Sequence, residues 1–184
     1  MAKKKRSKIQ KLKPPLTDKE IKALKAGDRL LISGKIFIAR DAAHQRFGKR
    51  PPFDPAGAIL YYASPTPTQR GKVIGSIGPT TATRLDPFTP DLLKLGLKIT
   101  MGKGKRGPEV KAAMKEYKAA YLVVPGGAAA ALSKHVKKST VIAYHDLGPE
   151  AVLELEVTDF PAIVAMDCKG GDLFEQGKKR YALK

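Results

Sequence analysis

KITMGKGKRGPEVKAAMKEYKAAYLVV, residues 98–124, decides the fold. The short run Lys98 to Met101 suits a strand and breaks at Gly102-Lys103-Gly104, a glycine-basic turn. Pro108, tolerated in a first helical turn because its missing N–H is not needed there, opens a helix predicted to run to Tyr117. Tyr121 to Val124 then reads as a strand. Strand, helix and strand in succession argue for partly parallel pairing and an α/β fold class.

Outward toward the N-terminus, Thr89, Pro90 and Gly96 bracket a helix through Leu92, Leu93 and Leu95. Ala58 to Ala63 and Val73 to Ile77 read as short buried strands, and Arg29 to Ser33 and Lys35 to Ala39 as a pair interrupted at Gly34. Asp41 is a candidate N-cap for a helix carrying Ala42, Ala43 and His44, and Thr17 with Glu20 forms a capping box that opens a helix with Ile21 and Leu24 inward. Toward the C-terminus, a small-residue helix from Ala128 to Leu132 and a strand from Thr140 to Tyr144 continue the alternation. Val152 to Val157, Ala162 to Asp167 and Leu173 to Phe174 then read as strands without helices between them. The expectation is a mixed sheet flanked by helices, with no internal repeat.

A chain of 184 residues that is 42% hydrophobic is long enough for one well-packed domain. No apolar run approaches the ~18 residues of a membrane span, and the first residues are lysine-rich with no apolar signal core, so the expectation is a cytoplasmic protein without membrane attachment. The net charge of +18 invites an anionic partner, yet Lys3, Lys4, Lys5, Arg6, Lys8, Lys11 and Lys13 all precede the first acid. Much of the excess is thus a leader, residues 1–15, read as solvated and flexible, ahead of a single domain at 16–184. No aromatic residue is interleaved with these lysines to stack on bases, and nucleic acid is not the expected partner. Cys168 stands alone, without the companions that a disulfide, a zinc site or an iron-sulfur cluster needs.

Three polar turns follow apolar strands: Ala39 to His44, Gly78 to Arg84, and Met101 to Lys105. Ligands in open α/β sheets collect beyond strand ends, so turns distant in sequence can share one site. Arg40 and Arg84 can each fork two parallel hydrogen bonds onto a carboxylate, and Lys103 between glycines offers a point charge beside approachable backbone amides. A small dicarboxylate fits that chemistry, although Arg40 beside Asp41 also fits a plain surface ion pair. His44 lies one helical turn beyond Arg40, where an imidazole can exchange protons with a ligand held by that arginine. The Gly102-Lys103-Gly104-Lys105 run lacks the spacing and the hydroxyl of a phosphate loop, and Gly126-Gly127 lacks the third glycine of a dinucleotide fingerprint. No Gly-x-Ser-x-Gly elbow is present, which argues against a serine hydrolase.

Gly34 to His44, Gly78 to Asp86 and Gly102-Lys103-Gly104, followed by Asp146 to Ala151 and Glu156 to Pro161, together resemble the β-subunit or C-terminal domain of class I fumarases and L-tartrate dehydratases. The resemblance covers about Leu24 to Phe174 and leaves the basic leader outside. It implies a swivelling β/β/α domain, inactive alone, that packs over an α-subunit whose cysteines hold a 4Fe-4S cluster. A cluster iron of such enzymes acts as a Lewis acid on the substrate during reversible addition of water to fumarate. By the same resemblance Arg40, Thr81, Arg84 and Lys103 bind substrate, and Thr80 lies where its hydroxyl meets the proton at the reacting carbon. Threonine is a poor base unless cations and a dry site assist it, so Thr80 and His44 are both candidates for moving that proton. Tartrate dehydration is the alternative within the class, and a basic nucleic-acid-binding module the alternative outside it.

Overall fold

The structure, a computed structural model, describes residues 9–182. In chain order the elements are β1 (Ile9–Leu12), α1 (Asp18–Ala23), β2 (Arg29–Ile38), α2 (Asp41–Phe47), β3 (Ile59–Tyr61), β4 (Ala63–Pro65) and β5 (Ile77–Pro79). They continue through α3 (Thr89–Lys94), β6 (Ile99–Gly102), α4 (Pro108–Glu116), β7 (Ala120–Val123), α5 (Ala129–Ser133), β8 (Val136–Ala143), β9 (Val152–Met166) and α6 (Leu173–Tyr181). Two 3-10 turns, Ala82–Leu85 and His145–Glu150, complete the path.

A mixed seven-stranded sheet runs in the order β1-β2-β3-β6-β7-β9-β8. Its members from β1 to β7 are mutually parallel, while β9 is antiparallel to β2, β7 and β8. Because β9 pairs with both β2 and β7, the pairing closes on itself through β2, β3, β6, β7 and β9. Strand alternation then sorts the core into two layers. Ile59 and Tyr61 of β3, Ile99 and Met101 of β6, and Ala120 and Leu122 of β7 join Leu153, Leu155 and Val157 of β9 in one cluster. Leu60, Tyr62 and Tyr121 point the other way, into a cluster with Ala43 and Phe47 of α2, Leu92 and Leu93 of α3, and Val110, Ala113 and Met114 of α4. β3, β6 and β7 are therefore covered on both faces, which is why β3 and β7 read as unbroken hydrophobic runs.

Several expectations change. Residues 9–12 of the expected leader are a strand, because their backbone finds the open side of β2 in register Ile9 to Arg29 through Leu12 to Ile32; residues 1–8 lie outside the described residues. The two runs around Gly34 are one strand with an irregular register between Ile32 and Gly34, where Gly34 adopts φ 115, a conformation that side chains resist. The two runs after Val152 likewise merge into the fifteen-residue β9. Val73 to Ile74 is not strand: Val73 is exposed, and pairing begins only at Ile77. Leu173-Phe174, read as strand, opens α6 instead, since Asp172 caps that helix by accepting from the Phe174 and Glu175 N–H groups. The Thr17 and Glu20 capping box forms as expected.

Candidate active site

The site forms where β2, β3 and β6 end, side by side and parallel. Ala39 N–H still donates to the Tyr61 carbonyl (3.3 Å) and Tyr62 N–H to that of Met101 (2.8 Å), so the chain leaves these strands at one level. Thr80 is then spliced in beside them: its N–H donates to the Tyr62 carbonyl (2.7 Å), and its carbonyl accepts from Lys103 N–H (3.0 Å). Ala82 N–H donates to the Lys103 carbonyl (2.9 Å), and Thr81 bridges Lys103 as a parallel pair. Gly102 makes this approach possible, since a Cβ there would stand 3.2 Å from the Thr80 carbonyl oxygen and 3.2 Å from Ala82 Cβ. The backbones of Thr80, Thr81 and Lys103 are thus held together, and Thr81 and Lys103 are exposed.

Arg84, on the 3-10 turn that follows Thr81, reaches back to the N-terminus of α2 and donates from Nε to Asp41 Oδ1 (2.9 Å). Arg40, the residue before that helix, lies with Nε 3.6 Å from Asp41 Oδ2 and Nη2 3.7 Å from Glu150 Oε1, and donates from Nη1 to Ser64 Oγ (2.9 Å). Glu150 in turn accepts from Ala42 N–H (3.1 Å), where the exposed N–H groups of a helix start favour a negative charge. Arg40 and Arg84 therefore meet at one carboxylate. Lys103 has no ion pair among the described residues. Asp41 stands at the first helical position rather than as the cap, which frees its carboxylate for the two guanidiniums.

His44 is placed differently from the expectation. Its ring is fully buried between Phe47, Tyr62 and Phe88, with centroids 4.8, 5.6 and 5.5 Å away. Burial lowers its pKa to about 4, against the upward pull of the Arg40 carbonyl that its Nδ1 meets at 2.7 Å. A carbonyl can only accept, so Nδ1 carries the proton of the neutral ring and Nε2 is left without a hydrogen bond. Closed off from solvent, His44 supports the Arg40 turn from below instead of facing a ligand beside it. Arg40, Thr80, Thr81, Arg84 and Lys103 come together; His44 does not join them. His145 lies on an exposed turn, and His135 holds the Thr158 carbonyl (3.0 Å) at the other end of the sheet.

Beneath the turns lies a group that sequence reading missed. The Arg106 side chain, 0% exposed, donates from Nε to Asp86 Oδ1 (2.6 Å), from Nη1 to Thr100 Oγ1 (3.1 Å) and from Nη2 to Thr89 Oγ1 (2.6 Å). It also lies 5.3 Å from the Tyr62 ring centre and 5.2 Å from that of Tyr121. Asp86 Oδ2 accepts from Gly107 N–H (2.7 Å), and the Tyr121 hydroxyl donates to the Gly104 carbonyl (3.0 Å). These bonds fasten the turn bearing Arg84 to the loop bearing Lys103. No local pattern marks them, because the hydrogen-bond partners of Arg106 lie up to 20 residues away and Glu150 lies 108 from Ala42.

Cys168 is buried, and among the described residues no group of three or more His, Cys, Asp or Glu side chains is placed to hold a metal. The donor set does not fit an iron-sulfur cluster. No helix of the described residues is long and apolar enough to cross a membrane.

Comparison with known proteins places the chain in a family. A Methanocaldococcus jannaschii protein named "Putative L(+)-tartrate dehydratase subunit beta" is 39% identical over 177 residues, 90% of this chain and 91% of that protein. The anaerobic class I fumarate hydratase of Escherichia coli is 40% identical over 157 residues, and fumarate hydratase 2 of Leishmania major is 39% identical over 159. This chain spans only 28% of the length of each of those two enzymes, while they cover 80% and 82% of it. The fumarase C-terminus family matches residues 1–177, and the chain, with its cationic turns gathered at the ends of parallel strands, belongs to that family.

Proposed function

We propose that this chain is the dicarboxylate-binding component of a hydro-lyase that interconverts fumarate and malate, working with a separate α-subunit that carries a 4Fe-4S cluster. The observation that carries this reading is the convergence of Arg40, Arg84 and Lys103 beyond three neighbouring parallel strands, in a family whose relatives are named fumarate hydratase and tartrate dehydratase subunit beta. Arg84 has its Nε occupied by Asp41, which leaves Nη1 and Nη2 to fork onto a carboxylate. Lys103, exposed and without an ion pair among the described residues, offers the charge for the second carboxylate. Thr80, whose carbonyl accepts from Lys103 N–H (3.0 Å) and which lies four residues before Arg84 in the chain, supplies the hydroxyl that handles the proton at carbon in this reading; nearby cations would make an alkoxide less costly there. A cluster held by the partner would supply Lewis-acid chemistry, while the present chain binds and orients the substrate.

The test is to produce the chain with its α-subunit and assay hydration of fumarate, then repeat with Arg84→Ala. Loss of a charge-assisted fork lowers kcat/KM by roughly 100-fold. Full activity of Arg84→Ala, or hydratase activity of the isolated chain free of iron, overturns the proposal. Tartrate dehydration is the second reading, favoured by the relative that matches along nearly its whole length. Assay of malate beside tartrate separates the two, since one added hydrogen bond to a second substrate hydroxyl can redirect specificity strongly.

A further inference from the structure

We propose that Asp41 is a positioning residue for the carboxylate clamp, its single carboxylate setting the Arg40 and Arg84 guanidiniums in the relative placement that a dicarboxylate needs. The inference rests on the dicarboxylate reading above and adds a residue to it.

Asp41 sits on α2 and Arg84 on a turn 43 residues away, so nothing local brings them together. Asp41 Oδ1 accepts from Arg84 Nε at 2.9 Å, while Oδ2 lies 3.6 Å from Arg40 Nε. Both Oδ2 and Arg40 Nε are buried without a hydrogen bond, an arrangement held by charge rather than by a formed bond. Two guanidiniums on neighbouring turns repel each other, and a common anion between them removes the penalty for keeping them close. Asp41 is also the better shielded partner, its side chain 21% exposed against 53% for Arg84, so the anchor is fixed and the arginine reaches outward from it. With Nε engaged, the outer edge of Arg84 remains open, and no further hydrogen bond occupies it among the described residues. Arg40 is oriented from its other sides by Ser64 and by Glu150.

Asp41 has an opposite possible role, that of an internal competitor occupying the arginines in place of substrate, and the two differ in sign. Asp41→Asn keeps the size and one acceptor but removes the charge. In the complex with the α-subunit, a positioning role raises KM for the dicarboxylate about tenfold with kcat within about twofold, whereas a competitor role lowers KM. Asp41→Glu, which keeps the charge but displaces it, should fall between wild type and Asp41→Asn. In the isolated chain, the Arg84 Nε–H proton should exchange slowly with water and lose that protection in Asp41→Ala. An unchanged or lowered KM in Asp41→Asn, or equally fast Nε–H exchange in wild type and Asp41→Ala, overturns the role of Asp41. Inactivity of the wild-type complex on both fumarate and tartrate overturns the hydro-lyase reading instead, so the two failures are told apart.

Discussion

Replacing Asp86 by Asn tests whether the buried Arg106 network holds the Arg84 turn and the Lys103 loop together. The Arg106 side chain has no exposed surface, and Asp86 is its charge partner at 2.6 Å. An asparagine amide cannot reproduce both bonds: whichever way it is turned, its NH2 group faces a donor, either Arg106 Nε or Gly107 N–H. The guanidinium is left buried and unpaired, which costs about 3–5 kcal/mol. Against a total stability of roughly 5–15 kcal/mol, that is a large share, and it lowers the melting temperature of a chain this size by about 10 °C. Urea unfolding followed by circular dichroism measures the loss. Asp18→Asn is the control, because Asp18, which pairs with Lys98 at 2.7 Å, is itself 53% exposed, and Lys98, 14% exposed, keeps its bond to the Tyr117 carbonyl (3.0 Å), so the loss is about 1 kcal/mol. The double variant Asp86→Asn, Arg106→Met removes both charges and should recover part of the stability that Asp86→Asn alone loses. A loss in Asp86→Asn no larger than in Asp18→Asn, with no recovery in the double variant, would refute the reasoning.

His44 makes stability depend on pH. Its pKa falls from 6.5 to about 4 on folding, so between those values the unfolded chain binds the proton and the folded chain does not. The His44 contribution, about 3 kcal/mol from that shift, is therefore present above pH 6.5 and lost as pH falls toward 4. His44→Phe should flatten this part of the pH profile, and an equally steep profile in the variant would count against a buried neutral ring. Gly102→Ala places a methyl 3.2 Å from the Thr80 carbonyl oxygen, so the Thr80 segment must shift. The expected cost is about 1–3 kcal/mol and, on the proposed dicarboxylate reading, a higher KM in the complex, and neither change would be seen if the approach of Thr80 to Lys103 were loose.

The individual elements were legible because their causes are local. Thr17 and Glu20 announce the start of α1 by satisfying each other's backbone, and Pro108 announces α4. The cationic turns were legible as well, since glycine and basic residues immediately after an apolar run mark the end of a strand. Errors arose where context overruled local preference. Leu12 within a lysine-rich leader is buried by its parallel pairing with Ile32, and Leu173-Phe174 follow a capping aspartate that makes them helical.

His44 shows the same division within the site. Its spacing from Arg40 was readable, but the inward turn of its ring depends on Phe88, which comes from a different part of the chain. By itself the sequence determined which segments pair or coil and where cations leave the sheet, because hydrophobic period and capping act over a few residues. Only the tertiary structure decided that β9 closes the sheet onto β2, that Asp41 joins two arginines and that Arg106 lies beneath them. Strand partners and ion pairs are chosen by packing across distances that no sequence period records.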